Sequence, residues 1–237
     1  MTLITFDLDN TLWDVDPVIV RANHAMEAWF DERFPGFQET FDASAYEKIK
    51  SEVIASSPNI AHDVSEIRKR IYVKAFREYG LPSEEARHIS QSAFEYFYAW
   101  RQKVDLYPEA KSTIAVLAEH YRMGVITNGN ADVYHPSVGL SEYFEFALRA
   151  DEVGRAKPNR EIFEAAAVQA NVDPKDIIHI GDHPIDDIQG AAQAGCRTIW
   201  FNRHGARNWK SEWEIKPDSE VYSLRELPTA IAELGAS

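Results

Sequence analysis

Two carboxylates stand two residues apart in Phe6-Asp7-Leu8-Asp9-Asn10-Thr11, where the short apolar run of Leu3, Ile4, Phe6 and Leu8 reads as a buried parallel strand reaching its end. Burying bare charge beside such a strand is costly. Paired acids at its tip therefore require a positive neighbour, most simply a divalent cation held by hard oxygen ligands. Thr127 closes Met123-Gly124-Val125-Ile126-Thr127 just ahead of Asn128-Gly129, Lys157 precedes Pro158, and the segment Gly181-Asp182-His183-Pro184-Ile185-Asp186-Asp187 follows another apolar run. A carboxylate can attack as a nucleophile, a second can move a proton, and a lysine with hydroxyl and amide donors can meet the charge that develops in a phosphoryl group.

These residues need a scaffold that brings distant loops together. From Val125 to Phe201 short apolar runs alternate with helical patterns, the signature of a parallel sheet covered on both faces. Strands are predicted over 3–8, 123–127, 146–150, 177–181 and 197–201. Helices are predicted over 109–121, 160–170 with Asn159 as N-cap, 184–194 with Gly195 as its stop, and 224–234. In an open sheet of this kind ligands bind outside the carboxyl ends of the strands, where strand order reverses. Asp7, Thr127 and Asp182 each sit at such an end.

The stretch 16–103 reads differently, as helix after helix. Asp16-Pro17 is expected to start a helix reaching about Phe34, and further helices are expected over 42–56, 63–79 and 84–102, with apolar stripes such as Val64, Ile67, Ile71 and Ala75 buried against one another as a bundle. Connections near 13–16 and 103–108 would join this insert to the sheet and allow it to move. The domain reading is a core of 1–15 and 104–237 with a helical insert at 16–103.

Length of 237 residues and 45% hydrophobic content allow a sizeable core. A net charge of −13 disfavours nucleic acid and anionic membranes as partners. An anionic substrate is repelled at long range, so a bound cation and Lys157 would have to reverse the local field. The single cysteine, Cys196, excludes an internal disulfide and reads as a buried structural thiol. Asp7 and Asp9 interrupt the N-terminal apolar run, so no secretory segment is expected, and nothing approaches the roughly 20 apolar residues of a membrane span. A cytoplasmic protein is the expectation; monomer and homodimer stay open.

The D-x-D-x-T pattern, with Thr127, Lys157-Pro158 and Gly181 to Asp187 in that order, resembles the motif set of the haloacid dehalogenase-like (HAD) hydrolase superfamily, most of whose members are Mg2+-dependent phosphatases. The resemblance spans nearly the whole chain. It implies an α/β fold, a Rossmann-like doubly wound parallel sheet core with an inserted helical-bundle cap of the C1 type. It assigns Asp7 as nucleophile forming an aspartyl-phosphate, and Asp9 as general acid and then general base, its backbone carbonyl also on the metal. Asp7 and Asp182 would hold Mg2+, together with Asp187 in preference to Asp186. Thr127, Asn128, Gly129 and Lys157 would bind the phosphoryl group. In the insert, Arg68 and less so His62 are candidates for substrate contact, against a plain solvated face; Trp13 reads either as a ring that stacks on substrate or as hinge packing.

Within the superfamily, Asn128-Gly129-Asn130, His62-Asp63-Val64 and Phe6 to Asp14 look like a bacterial subgroup that includes phosphatases of flavin mononucleotide and of the ribitylaminouracil phosphate of riboflavin synthesis. The expected partner is thus a small phosphorylated metabolite. A 2-haloacid dehalogenase shares the fold but has no need of Asp9, a phosphomutase shares the intermediate, and a non-enzymatic phosphometabolite-binding module fits least.

Overall fold

The computed structural model describes residues 2–205 and 207–235. By internal packing the chain divides into two compact units, Met1–Val15 with Val104–Ser237, and Asp16–Lys103.

The first unit is built on six parallel strands, β1 (Leu3–Phe6), β2 (Arg122–Thr127), β3 (Phe146–Arg149), β4 (Ile177–Gly181), β5 (Arg197–Phe201) and β6 (Ser219–Val221), in the order β3-β2-β1-β4-β5-β6. This is the Rossmann-like order, in which the chain winds outward from β1 in both directions and leaves a crevice at the carboxyl ends of β1 and its neighbours. The strands are apolar because both faces are covered: every residue of β1 and β4 is buried. On one face Ile162, Phe163 and Ala166 of the helix Arg160–Ala170 pack with Leu3, Ile126 and Ile177. Cys196 belongs to this cluster, and burial pushes its thiol up to about 12, as expected of a structural thiol.

Several local expectations are corrected. The edge strand β6 was not anticipated, because Ser219-Glu220-Val221 is too short to show a period. Asn159 sits before its helix without capping it, since its side-chain amide donates to the Ala156 carbonyl at 2.8 Å. The helix expected over 184–194 opens as a π-helical turn, Pro184–Gln189, and only its end, Gly190–Gln193, is α-helical. Gly195 follows with φ +90°, the left-handed stop expected of it.

The second unit is all helix. Its long elements are α1 (Val15–Arg33), α2 (Ala43–Ser56), α3 (Val64–Tyr79) and α4 (Ser83–Arg101). Helix α1 begins one residue before Asp16, so Asp16 lies in its first turn rather than at the cap. Asp63 caps α3 by accepting from the Glu66 amide at 2.7 Å. The apolar stripes meet in an aromatic core containing Trp29, Phe30, Phe37, Tyr72, Phe76 and Phe97, in which Phe37 and Phe76 stack at 4.7 Å. Among the described residues, no helix is long and apolar enough to cross a membrane.

Candidate active site

The Asp7 amide donates to the Ile180 carbonyl at 2.9 Å, extending the β1–β4 ladder by one residue and fixing the carboxylate at the sheet's carboxyl edge. Asp7 Oδ1 accepts from Lys157 Nζ at 2.6 Å, while Oδ2 takes a long contact, 3.5 Å, from the Thr11 hydroxyl. Lys157 Nζ also donates to the Ile126 carbonyl at 2.8 Å and to Asp187 Oδ1 at 2.6 Å. An ammonium has three protons, so these acceptors use all of them. The Lys157 side chain is only 2% exposed, and its backbone is clamped by Asn128, whose Oδ1 accepts from the Lys157 amide at 2.7 Å and whose Nδ2 donates to its carbonyl at 2.9 Å.

Asp187 is the most enclosed acid. Oδ1 meets Lys157 and His179 Nε2, the latter at 3.1 Å, and Oδ2 accepts from the His183 amide at 2.8 Å. The π-helical turn carries Asp187 inward, whereas Asp186 stays half-buried beside His183, with Asn128 Nδ2 3.5 Å from its Oδ2. His179 and Thr5 are register partners on β4 and β1, and His179 Nδ1 lies 2.9 Å from the Thr5 hydroxyl. A carboxylate only accepts, so Nε2 carries the proton toward Asp187 and Nδ1 accepts from Thr5.

Asp182 follows β4 directly. Its carbonyl accepts from Trp200 Nε1 at 2.8 Å and from Arg207 Nη1 at 3.3 Å. Carboxylate oxygens of Asp7, Asp182 and Asp187 lie within 4.8 Å of one another.

Three acids face two cations, the buried Lys157 and, at Asp182 alone, the half-exposed Arg207 with Nη1 3.4 Å from Oδ2, which leaves an excess of negative charge that the proton affinities record. Burial, with Asp187 and Asp182 adding to it, lifts the Asp7 carboxyl well above the usual range despite Lys157. Burial, followed by repulsion from Asp187, pushes Asp182 up to about 7. Burial would also raise Asp187, but Lys157 and His179 outweigh it and hold that carboxyl below its ordinary value. Burial alone would lower Lys157, yet Asp187 and Asp7 hold it above the ordinary ammonium range. Burial keeps His179 neutral, lowering it from 6.5. Lys157 and Asp187 thus favour their charged forms, while Asp7 and Asp182 resist ionisation unless a further cation balances them. Hard carboxylate donors this close together suit Mg2+.

Of the remaining expected residues, Asp9 accepts from Trp13 Nε1 through Oδ1 at 2.8 Å and is close enough to Asp182 to raise its proton affinity. Thr127 is buried at the end of β2, and its Oγ1 accepts from the Gly129 amide at 3.1 Å, which turns the hydroxyl proton away from the loop. That bond occupies the Gly129 N–H. Arg68 belongs to the helical unit, with its guanidinium 3.6 Å over the Phe97 ring and Nη1 donating to the Tyr72 hydroxyl at 3.2 Å. Trp13 is 0% exposed, which removes the stacking reading. His179 was missed; its one signal was a polar residue in the otherwise apolar run Ile177-Ile178-His179-Ile180.

The haloacid dehalogenase-like hydrolase family matches residues 1–195 of this chain, a span that holds Asp7, Asp9, Thr127, Lys157, His179, Asp182 and Asp187. The chain belongs to the haloacid dehalogenase-like hydrolases. Relatives of this haloacid dehalogenase-like hydrolase include 5-amino-6-(5-phospho-D-ribitylamino)uracil phosphatase YigB of Escherichia coli, 32% identical over 235 residues that cover 98% of this chain and 96% of the relative. Phosphoserine phosphatase of Thermus thermophilus is 31% identical over 255 residues, covering 96% of this chain and 98% of the relative. The crystal structure of a 2-haloacid dehalogenase from Pseudomonas syringae pv. Tomato has a TM-score of 0.92 and 39% identity, covering 98% of this chain and 99% of that one. With the two full-length curated relatives above named as phosphatases, this haloacid dehalogenase-like hydrolase is a phosphoric monoester hydrolase.

Proposed function

We propose that the protein hydrolyses a small cytoplasmic phosphomonoester with Mg2+ as cofactor, through an aspartyl-phosphate on Asp7, and that its substrate lies among riboflavin-pathway phosphates or flavin mononucleotide. The observation that carries the mechanism is the cluster in which Lys157 ties Asp7 to Asp187 while Asp182 stands within metal-sharing distance. The substrate class rests on likeness to the ribitylaminouracil phosphatase.

Asp7, Asp182 and Asp187, with the Asp9 backbone carbonyl, would hold Mg2+, which when bound supplies the positive charge that lets an anionic ester approach three acids. Asp7 Oδ2, the less encumbered oxygen, attacks phosphorus as the bond to the ester oxygen breaks. Asp9 gives its proton to the departing alkoxide, then takes one from the water that cleaves the acyl phosphate and restores Asp7. The Thr127 hydroxyl and the Asn128 backbone N–H donate to the phosphoryl oxygens. Lys157, with all its protons committed, acts by orienting Asp7 and by its charge. In the helical unit, Arg68, the candidate there for substrate contact, lines a cavity of about 430 Å³ with Ile19, Asn23, Met26, Tyr46 and Tyr72.

A dehalogenase is the second reading, favoured by the solved neighbour of that name. A 2-haloacid would leave Asp9 without a task, which argues against it. Hydrolysis of p-nitrophenyl phosphate by wild type and Asp7→Asn, with Mg2+ and with chelator, decides between them. Mg2+-dependent turnover lost in the variant is expected; chelator-resistant release of chloride from 2-chloropropionate would replace the phosphatase with the dehalogenase. Comparing flavin mononucleotide, the ribitylaminouracil phosphate and other metabolite phosphates tests the substrate.

A further inference from the structure

The loop after β1 folds back on itself around Trp13. Asn10 turns the chain at φ +61°, its amide donates to the Trp13 carbonyl at 2.7 Å, and its Oδ1 accepts from the Val15 amide at 3.1 Å. The Trp13 backbone bridges Asp9 on one side and Leu106 on the other, and the Tyr107 amide donates to the Leu12 carbonyl at 2.9 Å. The indole at the centre is 0% exposed, so its ring orientation is fixed by packing on all sides. A buried indole N–H must find an acceptor, and this one takes Asp9 Oδ1 at 2.8 Å.

We propose that Trp13 is a positioning residue for the acid and base work of Asp9. This rests on the phosphatase reading above and goes beyond it, since nothing in that reading requires Trp13. An N–H aimed at Oδ1 excludes a proton from that oxygen, so the transferable proton sits on Oδ2. In the first step the Oδ2–H bond breaks, the proton passes to the ester oxygen as that oxygen takes the electron pair of the breaking P–O bond, and Asp9 is left ionised. The indole N–H then donates to a carboxylate, a stronger bond than the one to the acid. In the second step the same bond holds the carboxylate in place to accept a proton from water. Because the ring is also paired through its backbone to Leu106, the carboxylate's direction is set by both chain crossings of the core unit, 9–15 and 104–107.

Leaving-group dependence separates this role from a structural one. Glycerol phosphate releases an alkoxide that needs the proton of Asp9, whereas p-nitrophenyl phosphate releases a phenolate that leaves without it. The values of kcat/KM for both esters are measured with saturating Mg2+ for wild type, Trp13→Phe, and a protein carrying benzothienylalanine at position 13, which keeps the bicyclic shape and lacks the N–H. The ratio of glycerol phosphate to p-nitrophenyl phosphate is expected to fall about 10-fold or more in both variants, within the span of general acid catalysis. Equal losses on the two esters, in the benzothienyl protein above all, overturn the proposal, and that protein decides if Trp13→Phe does not fold. A wild type active on neither ester sinks the phosphatase reading itself, an outcome distinct from an active wild type whose ratio is unmoved by either variant.

Discussion

Gly181 and Asp187 are packed so closely that a β-carbon at Gly181 would lie 2.2 Å from the Asp187 carboxyl carbon and 2.3 Å from Oδ2. The backbone of β4 is thus the wall against which this acid rests, and no side chain larger than hydrogen fits there. Gly181→Ala is expected to push Asp187 off Lys157 and His179 and to weaken Mg2+ binding by about 10-fold or more, the scale on which displaced supporting contacts act. Calorimetric titration with Mg2+ reads this directly, and an unchanged affinity would show that Asp187 has no part in holding the metal.

Asp182 gives the site a pH dependence with a definite sign. Its carboxyl is raised to about 7, above the 3.8 of the unfolded chain, so in metal-free protein the stability it contributes is present at low pH and is lost as pH rises through that window. Asp7 acts in the same direction. The ionised form is the one a cation binds, so the Mg2+-induced rise in melting temperature is expected to be small near about pH 6 and larger near about pH 8. Asp182→Asn should flatten this difference. A Mg2+ effect that shrinks with rising pH contradicts the assignment.

Lys157 is the buried counter-charge that Asp7 and Asp187 share. Lys157→Met leaves Asp7 and Asp187 buried without it, and unfolding in chelator is expected to become about 3–5 kcal/mol easier, the scale for breaking a buried ion pair. The stability that Asp187 gains from the pair is present above the ordinary carboxylate range and lost as pH falls through its depressed value, so the gap between wild type and variant should close in acid. Denaturant titrations at neutral and acidic pH check both parts.

Much of the sheet could be read from the chain because buried parallel strands write continuous apolar runs, and the acids that end them break those runs visibly. Asp7 and Asp182 stand out for that reason. What the chain hides is orientation. Whether Asp186 or Asp187 turns inward depends on a π-helical turn over Pro184–Gln189, a winding with no periodic signature of its own. The pairing of His179 with Thr5 joins residues 174 positions apart and exists only once β1 and β4 are in register. Lys157 could be picked out as a cation, but the saturation of its three protons is a property of packed geometry. Trp13 followed the acid motif in plain view, and only its complete burial distinguishes a carboxylate-holding indole from a stacking ring.

A nucleophilic Asp7 must be covalently phosphorylated during turnover. Acid quenching of the Mg2+-loaded enzyme during steady hydrolysis of a phosphomonoester, followed by peptide mass spectrometry, tests it. A phosphoryl group on the peptide bearing Asp7, absent from Asp7→Asn and discharged when the quench is delayed past substrate exhaustion, is the predicted result. Undiminished hydrolysis by Asp7→Asn, or a phosphoryl group trapped on another residue, would contradict it.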